Sequence, residues 1–162
     1  MRWFRFAVFI SLVTVLQASL VDIIAVTHLN IKPDLLLILL VFFAIHCNLS
    51  DAIITSFVIG FAADIIGPAM GPKIISFGLV GTALAHLHRI IAIKKIPHQS
   101  LVIFITGLLA GSLAHFLTFF KGEPLEPNLY AVLLGIPLYS SLVGPFLFLP
   151  SAWWMRIKKR KA

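Results

Sequence analysis

A chain of 162 residues, 60% hydrophobic and only 12% charged, carries more apolar surface than a water-soluble fold can hide, which excludes a soluble globular domain and makes lipid the solvent. The net charge of +7 sits in short clusters between apolar runs and at the two ends, a pattern of membrane-topology signals rather than of a nucleic-acid groove. A lone cysteine, Cys47, excludes an internal disulfide, and no Cys/His zinc spacing surrounds it.

These properties predict a single all-α integral membrane domain over residues 1–162. The first apolar run, 6–26, follows Arg2-Trp3-Phe4-Arg5. It is longer than a signal-peptide core, and Val15-Leu16-Gln17-Ala18-Ser19 is a poor cleavage site, so a retained first span is expected. Three shorter runs follow at 35–48, 52–66 and 74–88, each of 14 or 15 residues. A membrane span needs about 20 residues, so at this length a re-entrant or core segment competes. The runs 101–120 and 129–155 are long enough to cross alone.

The cations choose among the possible threadings. With six spans and the N-terminus inside, ten Lys and Arg residues fall on the inner side and three, Lys32, Lys73 and Lys121, on the outer side. The positive-inside rule favours that arrangement, and basic residues at both ends demand an even number of crossings. Four spans, with 35–66 as a re-entrant hairpin, is the competing count. Trp3, Trp153 and Trp154 would anchor the first and last spans at the cytoplasmic surface, and Tyr130 would open the last span outside. The basic run from Arg156 to Lys161 is expected to lie against anionic headgroups.

Polar residues inside spans are costly, so each needs a reason. Ser56, Gly60 and Asp64 recur every fourth residue and share one helix face, where small side chains admit a close neighbour and the carboxylate needs a donor on it. Either an internal hydrogen bond or direct contact with a partner would satisfy Asp64. Asp34 follows Lys32-Pro33 at the start of the second run and suits a helix N-cap. Gln17, Asp22, Asp34, Asp64 and His115 all fall in the outer half and could form one polar cluster. Gly107 with Gly111, and Gly81 with Ala85, have the spacing of close helix crossings. Gly67-Pro68-Ala69-Met70-Gly71-Pro72 predicts a tight outer turn. His86 and His88 point to different sides of a helix and read as interfacial residues rather than metal ligands. No catalytic, cofactor or metal constellation is expected.

The segment Lys32-Pro33-Asp34-Leu35-Leu36-Leu37-Ile38-Leu39-Leu40-Val41 resembles the second span of the MreD family of rod-shape-determining membrane proteins. Gly60-Phe61-Ala62-Ala63-Asp64-Ile65-Ile66-Gly67 resembles the family's Gly-Phe pair and Gly/Ala-x-x-Asp ending. Gly71-Pro72-Lys73 then stands for its glycine-containing turn and basic residue. The family often has a second Gly or Leu where Ala62 and Ala63 stand here. The specific likeness covers residues 32–89.

The resemblance implies a six-helix fold similar to the substrate-binding subunits of vitamin-uptake transporters, in the bacterial inner membrane with both ends in the cytoplasm. It implies a non-enzymatic scaffold that binds MreC, a single-span protein with a large outer domain. Both would belong to the elongation machinery for lateral peptidoglycan, with MreB inside and RodA and a class B transpeptidase doing the synthesis. Pro33, Asp34, Gly60, Asp64, Gly67 and Gly71 are the expected partner-interface residues. The alternative function is a small-molecule-binding subunit of a vitamin-type transporter, which would need a polar outward pocket.

Overall fold

In lipid a backbone must satisfy its own hydrogen bonds, so the apolar runs fold as helices and the Gly/Pro-rich and charged segments fall between them. The computed structural model describes residues 3–19, 23, 31, 33–67, 70–91, 95–125 and 127–155. Among these residues the chain is all-helical, with six helices: α1 (Trp3–Ser19), α2 (Leu35–His46), α3 (Leu49–Ile66), α4 (Pro72–Ile90), α5 (Ile96–Phe120) and α6 (Leu129–Met155). Three of them, α3, α5 and α6, are long and apolar enough to cross a membrane.

Several lengths differ from expectation. α3 has 18 residues because it begins at Leu49, taking in Ser50 and Asp51. An acidic residue in a first turn is favoured by the helix dipole, so these polar residues start the helix rather than delay it. α5 likewise begins at Ile96 and not 101, with Pro97 in the first turn, where a proline removes no intrahelical bond. α1 is described over 17 residues rather than the 21 of the run 6–26, and residues 20–22 lie outside the described residues. Arg2, Asp22, Lys32, Lys94 and the C-terminal basic run from Arg156 also lie outside them.

Contacts between helix ends fix the directions. Trp154 Nε1 donates to the Arg5 carbonyl at 3.3 Å, and the Trp154 ring stacks on Phe9, tying the end of α6 to the start of α1. Phe43 meets Phe6 edge-on and Phe42 meets Phe148, which brings the end of α2 to the same side. At the opposite side Lys121, just past α5, donates from Nζ to the Met70 carbonyl in the α3–α4 turn. Successive helices therefore alternate in direction. The Trp154 end corresponds to the inner side expected from the cations, and the Lys121 end to the outer side.

α2 forms the centre. Every residue from 36 to 45 is buried, and the helix touches each of the other five. A helix apolar all round can be covered on every face, which Leu-Leu-Leu-Ile-Leu-Leu-Val-Phe-Phe-Ala-Ile makes possible. Residues 35–46 of the run 35–48 thus form a core helix, and Cys47 and Asn48 lie in the link to α3. α1 lays Phe6, Ile10 and Val13 against the bundle and turns Phe4, Leu12 and Val15 outward.

The α3–α4 seam is built differently. A Cβ on Gly60 would lie 2.8 Å from both the Ile74 Cα and the Lys73 carbonyl oxygen, so the two backbones touch. One turn earlier Ser56 fills the space that a side chain at Gly81 would need. Gly107 packs against Leu37 and Pro137, and Gly111 against Leu133. The small-residue pairs read from the sequence serve crossings inside this chain.

Candidate functional site

The outer end of the α3–α4 seam is organised by one carboxylate. A helix N-terminus leaves its first N–H groups without intrahelical acceptors. In α4, Pro72 at the first position has no N–H, and Asp64 of α3 takes the rest. Asp64 Oδ2 accepts from the backbone N–H of Gly71 at 3.0 Å and of Ile74 at 2.9 Å, and Oδ1 accepts from Lys73 at 3.1 Å. Asp64 is only 1% exposed. Hydrogen bonds to a charged acceptor are each worth about 1.5–3 kcal/mol, more than neutral ones.

Neighbouring residues make this cap possible. Gly60, one turn before Asp64, lets the first turn of α4 approach within carboxylate reach. Gly71 has φ 114°, a conformation that L side chains rarely adopt, and it turns its N–H toward Asp64. Gly67 closes α3, its N–H donating to the carbonyls of Ala63 and Asp64. Lys121 holds the turn from outside through Met70. Four of the six sequence-derived interface residues, Gly60, Asp64, Gly67 and Gly71, are therefore parts of one stiff corner. Pro68 and Ala69 lie outside the described residues.

Pro33 and Asp34 form a second site, at the start of α2. Asp34 is the N-cap, its Oδ1 accepting from Leu37 N at 3.1 Å. Its own N–H donates to Ser140 Oγ of α6 at 2.9 Å. Gln17 of α1 reaches across to this point, Oε1 accepting from Leu35 N at 2.8 Å, with Nε2 near the Pro33 carbonyl at 3.5 Å. Pro33 is buried. Nothing local in the sequence announces Ser140, which lies 106 residues away from Asp34.

The expected single polar cluster is divided. Asp64 is engaged in the cap, Gln17 holds the entry to α2, and Asp22 lies outside the described residues. Asp34 and His115 come together as lining of a cavity of about 200 Å³. Its walls are α4's first turns, the second half of α5, the α5–α6 loop and the first part of α6, so it belongs to the outer end. Lys73 and Thr118, which the cluster did not include, also line it.

At the inner end the histidines are separate. His86 Nδ1 lies 2.9 Å from the Thr82 carbonyl, His46 stacks on Phe42, and among the described residues His88 Nδ1 is buried without a hydrogen-bond partner. Among the described residues no three His, Cys, Asp or Glu side chains gather as a metal site.

The comparisons with known proteins agree with the motif-level likeness and extend it. The sequence model of the family described as rod shape-determining protein MreD matches residues 1–149. No match is found among curated proteins or among solved structures. The capped corner and the Lys-Pro-Asp start of α2 both fall inside the matched range, as do all six helices except the last residues of α6. The chain is an integral membrane protein and belongs to the MreD family, whose role is in rod shape determination.

Proposed function

We propose that the chain is a non-enzymatic scaffold of the cell-wall elongation complex that binds MreC and so helps maintain rod shape through lateral peptidoglycan synthesis. MreB, RodA and a class B transpeptidase are direct or indirect partners. The chain crosses the bacterial inner membrane six times with both ends in the cytoplasm. Alternating helix directions and the contact between Trp154 and Arg5 support an even number of crossings. The ten-to-three division of cations supports the orientation.

The observation that carries the scaffold reading is the outer corner. Asp64 is engaged by three backbone N–H groups, so it offers a partner a fixed shape rather than a charge. Beside that corner Phe57, Phe61 and Ile65 recur every fourth residue on α3 and are exposed, and Met70 in the turn is 60% exposed. A partner's single span laid along this stripe would carry its outer juxtamembrane segment to the turn. In this reading Gly60, Asp64, Gly67 and Gly71 form the frame behind the contact, and Pro33 and Asp34 hold the central helix at the matching depth.

Co-purification with MreC tests it. A Phe61→Ala/Met70→Lys double variant should lose MreC at unchanged protein level, whereas Gly60→Leu should lower the level of the chain itself. Retention of MreC by the double variant at normal level removes this surface as the contact. One observation favours the second reading, a substrate-binding subunit of a vitamin-type transporter: the outer cavity.

A further inference from the structure

We propose that the outer cavity is a binding site for a small apolar molecule bearing a protonated amine. The cavity follows from helix lengths. α2 has 12 residues, about 18 Å at 1.5 Å per residue, and its N-cap sits beside Ser140. Ser140 lies 11 residues into α6, about 16 Å from that helix's outer end. The central helix therefore stops well short of the outer end of α6. Ala110, Gly111 and Ala114 on α5 present too little side chain to fill the space above it.

The space is large enough to matter. At about 200 Å³ it exceeds the roughly 150 Å³ of an engineered apolar cavity that takes up benzene. The walls are mainly apolar, from Phe77, Leu125, Val132, Leu133 and Ile136, with a few polar groups, which is the usual make-up of a small-molecule site.

Those polar groups set the ligand's chemistry. Asp34 uses Oδ1 to cap α2, and among the described residues its Oδ2 has no donor. Thr118 donates its hydroxyl hydrogen to the Ala114 carbonyl at 2.8 Å and has lone pairs left to accept. Lys73 lines the cavity, but its ammonium reaches the C-terminal end of α3, 3.5 Å from where a Cβ on Gly67 would stand. Among the described residues Asp34 and Thr118 thus present unfilled acceptors, one of them a carboxyl group, in a mainly apolar, partly open pocket that His115 also lines. Such a group gains most from a cation that also donates hydrogen bonds, and it disfavours a carboxylate.

The test uses the full chain in lipid nanodiscs, with empty nanodiscs as the blank. Its probes are 2-phenylethylamine, 2-phenylethanol and phenylacetate, which share a ring and differ in the polar end. The amine should raise the melting midpoint with saturation. It should bind about tenfold or more tighter than the alcohol, and phenylacetate should not bind. Asp34→Asn retains a residue that caps equally well, so it should fold and lose the preference for amine over alcohol. Ala114→Phe fills the cavity and should abolish both responses. The proposal fails if the amine gives no shift, if phenylacetate matches it, or if Ala114→Phe leaves amine binding intact. MreC co-purification is a separate readout, so failure here and failure of the scaffold reading are distinguishable.

Discussion

α2 and the α3–α4 pair are held in place by opposite means. α2 packs through its own large side chains, Phe42, Phe43, Leu36, Ile38 and Leu40, which are among the most deeply buried in the chain. The α3–α4 seam is built mainly on small residues and backbone: Ser56 against Gly81, Gly60 against the α4 backbone, Asp64 on the α4 N-terminus, and one ring, Phe57, over Gly78. In water both would be driven by hydrophobic burial. In lipid a leucine gains little by leaving the tails for another helix, so packing contacts and hydrogen bonds decide instead. The seam has both kinds, whereas α2 relies on dispersion contacts and on its polar entry at Asp34.

The contrast ranks a set of substitutions. Asp64→Ala should cost most, about 4 kcal/mol, because three N–H groups at a buried helix start lose a charged acceptor. Unfolding in mixed micelles measures it. Phe42→Ala comes next at about 3 kcal/mol, since a fully buried ring leaves a cavity even where the transfer gain is small. A larger cost for Phe42→Ala than for Asp64→Ala would break the comparison. Gly60→Ala should cost about 2 kcal/mol, because the added methyl meets backbone atoms of α4 that cannot rotate aside. Leu142→Ala, on the exposed face of α6, should change stability by less than about 0.5 kcal/mol.

The link between the two regions offers a pH probe. Cys47, between α2 and α3, has its thiol pushed up from 9.0 to about 11, mainly by burial and further by the Asp51 charge. The thiolate is the disfavoured form in the folded chain. Alkylation at pH 8.5 should therefore run well below that of an unfolded control, and stability should fall as pH rises through the window from 9 to 11. Equal alkylation rates would mean that the inner link is open.

Much of the seam was legible in the sequence. The spacing of Ser56, Gly60 and Asp64 marked one face, Gly-Pro pairs marked the turn, and the need of a buried carboxylate for donors was plain. That the donors would be backbone N–H groups was not, since backbone is the same at every position. The central place of α2 was only half legible. A run of Leu, Ile and Phe looks alike whether lipid or protein covers it, as α6 illustrates: it turns Leu138, Leu142 and Phe146 outward and Ser140, Ser141 and Gly144 inward. Of the polar residues expected in the outer half, the described ones, Gln17, Asp34, Asp64 and His115, lie at one end but not in one cluster. The partition among Gln17, Asp34, Asp64 and Ser140 depends on helix depth, which no short sequence window contains. The cavity was hidden for the same reason, because it arises from the difference in length between α2 and α6.

The central position of α2 bears on how the protein is made. Of the five helices that enclose it, only α1 precedes it off the ribosome; the other four are synthesised later. A helix with no polar face can wait in the bilayer unaided until they arrive. α3 has no such freedom, because Asp64 is exposed to hydrocarbon until the first turn of α4 follows seven to ten residues behind. Biogenesis should therefore insert α3 and α4 as a single hairpin around a helix already resident in the membrane.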